Sequence, residues 1–237
     1  MQSLRALGQP AEALPLIEIA PLLDGTPVRA CWQRLSVYTL VMFVSANAVI
    51  QFFGQRPQGA VWPQNLRAAA TGPGTAAALR DEGLAEATLV QPPTTAPRFD
   101  SEALWACLAA ENWVGSQVLI VRGELGRDWL AETLRTHGAA VELITAYRRL
   151  APRLGAFEAA MLTAALAAPA DWLWHFTSSE AIANLQLLAP DADWSQSAAL
   201  ASHPRIAATA RTAGFGSVML VAPAPDAVVA AAVAWPR

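Results

Sequence analysis

A chain of 237 residues has room for one large domain or two of about 100 residues each, and 54% hydrophobic against 15% charged residues excludes a disordered chain. The net charge of −3 gives no reason to expect a nucleic-acid partner. All 16 basic residues are arginine, which excludes Schiff-base, pyridoxal-phosphate and Walker P-loop chemistry and favours bidentate recognition of carboxylates.

In chain order, short apolar runs alternate with helical patterns, the signature of parallel α/β sheets. Strands are expected at Leu14–Ile19, Leu40–Val44, Arg67–Ala70, Ala87–Val90, Gln117–Val121, Val141–Thr145, Trp172–Phe176, Ala198–Ala201 and Ser217–Val221. Helices are expected at Ala46–Gly54, Thr75–Glu82, Ser101–Ala110, Gly126–His137, Ser179–Leu188, Ile206–Ala213 and Pro225–Ala234. Gly83, Gly138 and Gly214 stand at helix ends, where a left-handed C′ residue favours glycine. The 21 uncharged residues between Arg34 and Arg56 invite a test as a membrane span, but their serines, glutamines and asparagine favour a buried strand and helix. Cys31 and Cys107 make neither a metal-ligand spacing nor a disulfide framework, and the three histidines lie far apart. With no signal peptide at the start, a cytoplasmic protein without a membrane or metal is expected.

The chain also repeats itself. Phe43-Val44-Ser45-Ala46-Asn47-Ala48-Val49 reads against Phe176-Thr177-Ser178-Ser179-Glu180-Ala181-Ile182. Thr71-Gly72-Pro73 with Arg80 and Gly83 reads against Ser202-His203-Pro204 with Arg211 and Gly214, and Leu89-Val90-Gln91-Pro92 against Leu220-Val221-Ala222-Pro223. Two similar lobes facing one another would form a cleft. The segment around Leu4, Gly8 and Glu12 reads against Leu134, Gly138 and Glu142, so one lobe is expected to lack its first strand and half its first helix, as from a mis-set start codon or a truncation. The layout expected is a discontinuous lobe of residues 1–22 and 152–237, a middle lobe of 23–147, and a double linker near 21–27 and 148–154.

Ligands of an open parallel sheet lie beyond the carboxyl ends of its strands. The loops there carry Ser45 and Asn47, then Thr71, Gly72, Gly74 and Thr75, then Arg122 and Gly123. In the other lobe they carry Thr177, Ser178 and Ser179, then His203, Arg205 and Ile206. Hydroxyls and free N–H groups at helix starts suit anions, although the same residues serve as ordinary N-caps. Tyr147, one of two tyrosines, ends a strand; its phenol either packs on the linker or donates a hydrogen bond or proton. No nucleophile–base pair or paired carboxylates stand out, so the residues alone reach a two-lobed α/β protein with an anion-friendly cleft.

Arg122-Gly123 with Gly126-Arg127, Leu130, Leu134, Gly138, Val141 and Tyr147-Arg148-Arg149, followed by Phe176-Thr177-Ser178-Ser179-Glu180-Ala181 and His203-Pro204-Arg205-Ile206-Ala207 with Gly214-Phe215, resemble the bacterial uroporphyrinogen-III synthase family. The resemblance implies two flavodoxin-like lobes with parallel sheets, joined by a two-stranded linker around an inter-lobe cleft. It implies a cyclising lyase of haem biosynthesis that converts hydroxymethylbilane to uroporphyrinogen III with loss of water and inversion of ring D, through a spiro intermediate. No cofactor is implied, and a monomer is expected. Tyr147 aligns with a tyrosine that the family is thought to use as hydrogen-bond donor or acid, and the loops named above would hold substrate carboxylates. The alternatives are a non-enzymatic two-lobe binder of a small polycarboxylate and an inactive truncated homologue.

Overall fold

Strict alternation of buried side chains sets the framework of the first sheet. In the computed structural model, which describes residues 5, 6, 8, 10–96, 98–222 and 224–235, strand β2 (Leu40–Phe43) is buried at every position. Val41 and Phe43 enter one core and Leu40 and Met42 another, because helices cover both faces of the sheet. The first core gathers α1 (Thr26–Gln33), α2 (Ala46–Gly54) and α3 (Pro73–Asp81). The second gathers α4 (Ser101–Leu108) and α5 (Trp129–Thr136). Aromatic rings fill the first: Trp32 stacks on Phe52 at 5.0 Å and meets Phe53 edge-on at 5.1 Å. Such pairs add about 0.5–1.5 kcal/mol each to simple burial.

The remaining strands of this sheet are β1 (Glu18–Pro21), β3 (Arg67–Ala70), β4 (Leu89–Val90), β5 (Gln117–Gly123) and β6 (Ala140–Leu150). Their spatial order is β1-β6-β5-β2-β3-β4, with β2 to β6 all parallel. Counted from β5, the five parallel strands stand in the flavodoxin order 2-1-3-4-5, with the chain entering at the third. The order reverses between β5 and β2, so the switch point, where such sheets bind ligands, lies at the carboxyl ends of those two strands.

The chain packs as two compact units, one of residues 19–149 and one of residues 1–18 with 150–237. The second contains α6 (Ala156–Ala167), α7 (Ser179–Leu188), α8 (Pro204–Thr212) and α9 (Pro225–Ala234). Its described residues form a parallel three-stranded sheet, β7 (Leu173–Phe176), β8 (Ala198–Ala201) and β9 (Ser217–Leu220), in that order. Phe176, Ala199 and Ala201 pack there with Ile182, Leu185, Ile206 and Phe215. This order repeats β2-β3-β4, as the internal repeat requires.

Most expected elements stand within a few residues of their places, and Gly83, Gly138 and Gly214 take φ of 86°, 92° and 97° at helix ends. Two helices, α1 and α6, were not among the expectations. The first strand begins at Glu18 rather than Leu14, because a strand exists only where it has a partner and β1 pairs with β6. Leu4 and Pro223, which carry part of the repeat, lie outside the described residues. Among the described residues no helix is long and apolar enough to cross a membrane; the uncharged run after Arg34 contains β2 and α2.

Candidate functional site

At the carboxyl end of the first sheet, three neighbouring strands bring Ser45, Gly123 and Tyr147 together. Ser45 follows β2 as the N-cap of α2, in extended conformation, and its Oγ accepts the Ala48 N–H at 3.2 Å. Tyr147 comes from β6 and is only 4% exposed; its hydroxyl stands 3.2 Å from Ser45 Oγ. Gly123 ends β5 opposite Tyr147, after a register shift between Arg122 and Gly123. A Cβ at Gly123 would lie 2.8 Å from Tyr147 Cζ and 3.1 Å from its hydroxyl oxygen. The absent side chain is therefore the seat of the phenol ring.

The neighbouring loop is tied to the same place. Thr71 Oγ1 donates to the Val44 carbonyl at 3.1 Å, fixing the loop after β3 against the loop after β2. Gly72 is buried under Phe99, Thr75 is buried in the first turn of α3, and Gly74 is open to solvent. Asn47 is half-buried in the first turn of α2. There the N–H groups of Ala46 and Asn47 have no intrahelical acceptor, the usual state of a first turn.

Arg122, next to Gly123 in β5, faces the other side of the sheet from Tyr147, with its side chain 13% exposed. Its guanidinium pairs with Asp128 and donates to the Gly126 carbonyl at 2.8 Å, so a ligand carboxylate must compete with Asp128. Beside it a recess of about 100 Å³ opens among Val44, Ser101, Ile120, Leu125 and Leu130. Arg127, at its rim, is held by both carboxylate oxygens of Glu102 at 2.6 and 2.9 Å. Ser101 and Leu125 were not expected here; the reversal of strand order was the signal that locates them.

In the other unit the repeat places Thr177, Ser178 and Ser179 after β7 and His203, Arg205 and Ile206 after β8. Thr177 is exposed, and Ser178 is the N-cap of α7 without a side-chain bond to that helix. Ser179 Oγ accepts from Thr209 Oγ1 at 3.1 Å, which ties the start of α7 to the middle of α8. His203 caps α8 through Nδ1, which accepts the Arg205 N–H at 3.2 Å, and Ile206 is a core residue with only its backbone to offer. Each group is thus a set of helix starts at strand ends, the arrangement that favours anions.

A second polar cluster lies toward the amino ends of β2 and β6. Glu142 accepts from Tyr38 at 2.6 Å and from Arg34 at 2.6 Å, and the Cys31 thiol approaches it at 3.8 Å. Burial pushes the Cys31 thiol up, with the Glu142 charge adding to it. Burial also raises the Tyr38 phenol, helped by its bond to Glu142. Burial is the largest influence on Glu142 and acts upward, but the bonds from Tyr38 and Arg34 outweigh it and hold the carboxyl below its ordinary value. The amino end of a parallel sheet is not where such folds bind ligands, so this cluster reads as a structural clamp. Among the described residues no group of three or more His, Cys, Asp or Glu is placed to hold a metal ion.

Residues 1–230 match the profile of the family described as uroporphyrinogen-III synthase HemD. A uroporphyrinogen-III synthase of Salmonella typhimurium is 34% identical over 171 residues, covering 67% of this chain and 63% of the relative. The one from Escherichia coli is 31% identical over 159 residues with the same coverages, so the chain spans about 63% of the length of the curated relatives it matches. The fold is similar to the crystal structure of uroporphyrinogen-III synthetase from Helicobacter pylori, with a TM-score of 0.63 at 20% identity over 94% of this chain and 92% of that one. A mutant uroporphyrinogen-III synthase of Thermus thermophilus gives 0.51 at 17% identity over 92% and 86%. On the match over residues 1–230, the chain belongs to the uroporphyrinogen-III synthase family.

Proposed function

We propose that this protein closes hydroxymethylbilane to uroporphyrinogen III, with loss of water and inversion of ring D, as a cytoplasmic monomer without cofactor. Family membership supports the reaction, and the observation that carries it to this chain is the Tyr147 hydroxyl beside Ser45 at the carboxyl end of the sheet. The substrate's chemistry is largely intrinsic. Loss of its hydroxyl gives an azafulvene that closes unaided to the wrong isomer, so the protein's task is to position the chain for attack through the spiro intermediate.

Each unit, taken by itself, has groups suited to that task. The helix starts at Ser45 and Gly72 in one unit, and those at Ser178 and His203 in the other, present N–H groups that favour carboxylates, each worth about 0.3–1 kcal/mol for an anion before direct hydrogen bonds. Arg122 supplies a cation at the switch point, with Asp128 holding it until a carboxylate replaces that partner. Tyr147 supplies the proton for the departing hydroxyl; of the residues singled out at this sheet end it is the one whose side chain is a weak acid. The test is incubation with freshly generated hydroxymethylbilane, oxidation of the products and chromatographic separation of the porphyrin isomers. Type III in excess of a protein-free control is expected, and type I alone would refute the proposal.

A further inference from the structure

We infer that Ser45 is a positioning residue for Tyr147: its hydroxyl donates to the phenolic oxygen, so that the tyrosine's own proton is left for the ligand. This rests on the functional reading above and changes Ser45 from a carboxylate contact to the partner of the acid.

By distance either hydroxyl could donate, and the surroundings of Ser45 favour one direction. Among the described residues Ser45 Oγ has two hydrogen-bond partners, the Ala48 N–H that it accepts at 3.2 Å and the Tyr147 oxygen at 3.2 Å. The amide withdraws electron density from Oγ, and the positive end of the α2 dipole does the same. Both make Ser45 a poorer acceptor and a better donor. Among the described residues the Tyr147 hydroxyl has no other hydrogen-bond partner. The ring cannot swing away easily: it is buried and rests on Gly123, with Tyr147 inside β6 opposite the end of β5, and Ser45 just beyond the end of β2, the next strand of the sheet.

The step balances as follows. The carbon–oxygen bond of the substrate's hydroxymethyl group breaks with the electron pair on oxygen, and that oxygen takes the Tyr147 proton and leaves as water. The lone pair of the adjoining pyrrole nitrogen supplies the electrons lost by carbon, giving the azafulvenium ion. The phenolate left on Tyr147 is stabilised by the Ser45 O–H and by the start of α2. The proton released when the closed ring regains aromaticity returns to Tyr147. A hydrogen bond that is neutral before the step and charge-assisted after it strengthens along the reaction, the condition for raising turnover rather than affinity.

Ser45 is also a helix cap, so the test must separate the two roles. Glycine is nearly as good an N-cap as serine but has no hydroxyl, and threonine keeps both. Ser45→Gly is expected to lower kcat for type III formation by about ten- to a hundredfold with KM within about twofold, while Ser45→Thr keeps most of the turnover. Adding Ser45→Gly to Tyr147→Phe should cost no more than Tyr147→Phe alone, because the partner is already gone. Additive losses, or a Ser45→Gly enzyme with wild-type kcat, would overturn the inference. A separate readout needs no turnover. The protein has two tyrosines, so 13Cζ labelling gives two resonances, and Tyr147→Phe identifies the second. That resonance should move in Ser45→Gly and hold in Ser45→Thr; an unmoved signal in Ser45→Gly overturns the hydrogen bond itself. A wild-type protein that makes no type III isomer would instead overturn the functional reading on which the role rests.

Discussion

Placing a methyl group at Gly123 tests the packing that holds the phenol. The added Cβ of Gly123→Ala would stand 2.8 Å from Tyr147 Cζ, 2.9 Å from Cε2 and 3.1 Å from the hydroxyl oxygen. Ordinary carbon contacts lie near 3.5–4.0 Å, so the ring must retreat by roughly half an ångström or more. It has little space to do so: Tyr147 is 4% exposed and packed in the core with Phe43, Val121 and Ile144. Overpacking of this kind costs about 1–3 kcal/mol, and the retreat takes the hydroxyl out of range of Ser45. Urea unfolding of Gly123→Ala should show that loss of stability, together with a fall in type III turnover at least as large as that of Ser45→Gly. The contacts are all with the far end of the ring, which a leucine does not reach. In a Tyr147→Leu background the same Gly123→Ala change should therefore cost less than about 0.5 kcal/mol. If Gly123→Ala is as destabilising without the ring as with it, the clash lies elsewhere and the reasoning fails.

Tyr147→Phe keeps the ring on Gly123 and should leave stability nearly intact while lowering turnover about a hundredfold without abolishing it, as steady-state kinetics would read; unchanged kinetics would remove Tyr147 from the site. Ser197→Ala removes a buried hydroxyl with no hydrogen-bond partner among the described residues, so the urea midpoint should hold or rise by up to about 1 kcal/mol of stability, and a fall would reveal a partner. Glu142→Gln should cost about 1 kcal/mol at pH 7, the modest figure reflecting its part exposure. Because Glu142 is held below its ordinary value in the folded protein, its contribution is present above about pH 4–5 and is lost as the pH falls through the lower folded value. The stability gap between wild type and Glu142→Gln should then shrink in unfolding curves recorded toward pH 3, and a gap that widens would contradict the sign.

The fold was legible where local chemistry and global packing agree. Leu40–Phe43, buried on both faces, reads as a continuous apolar run, and Gly83, Gly138 and Gly214 mark helix ends by a conformation that other residues avoid. Strand β1 was misplaced because its extent depends on β6, more than 120 residues away in sequence. Helix α6 was legible in principle from its alanines, but a reading that begins from strands passes over a helix set between linker and strand. The site was legible as separate residues and not as an arrangement. Ser45 and Tyr147 were each singled out, but their meeting needs β2, β5 and β6 side by side. Gly123 was read as a loop glycine beside an arginine; only the structure gives it the ring of Tyr147 to support. The Glu142 clamp joins residues 104 to 111 positions apart, a distance at which sequence alone carries no signal.

The central claim is that this protein steers the closure of a linear tetrapyrrole, and the most direct measurement is the ratio of type III to type I porphyrin as its concentration is raised against a fixed pulse of hydroxymethylbilane. A ratio that climbs with protein, and climbs far less with Tyr147→Phe, is the predicted result. A ratio that stays at the protein-free value at every concentration would contradict the account.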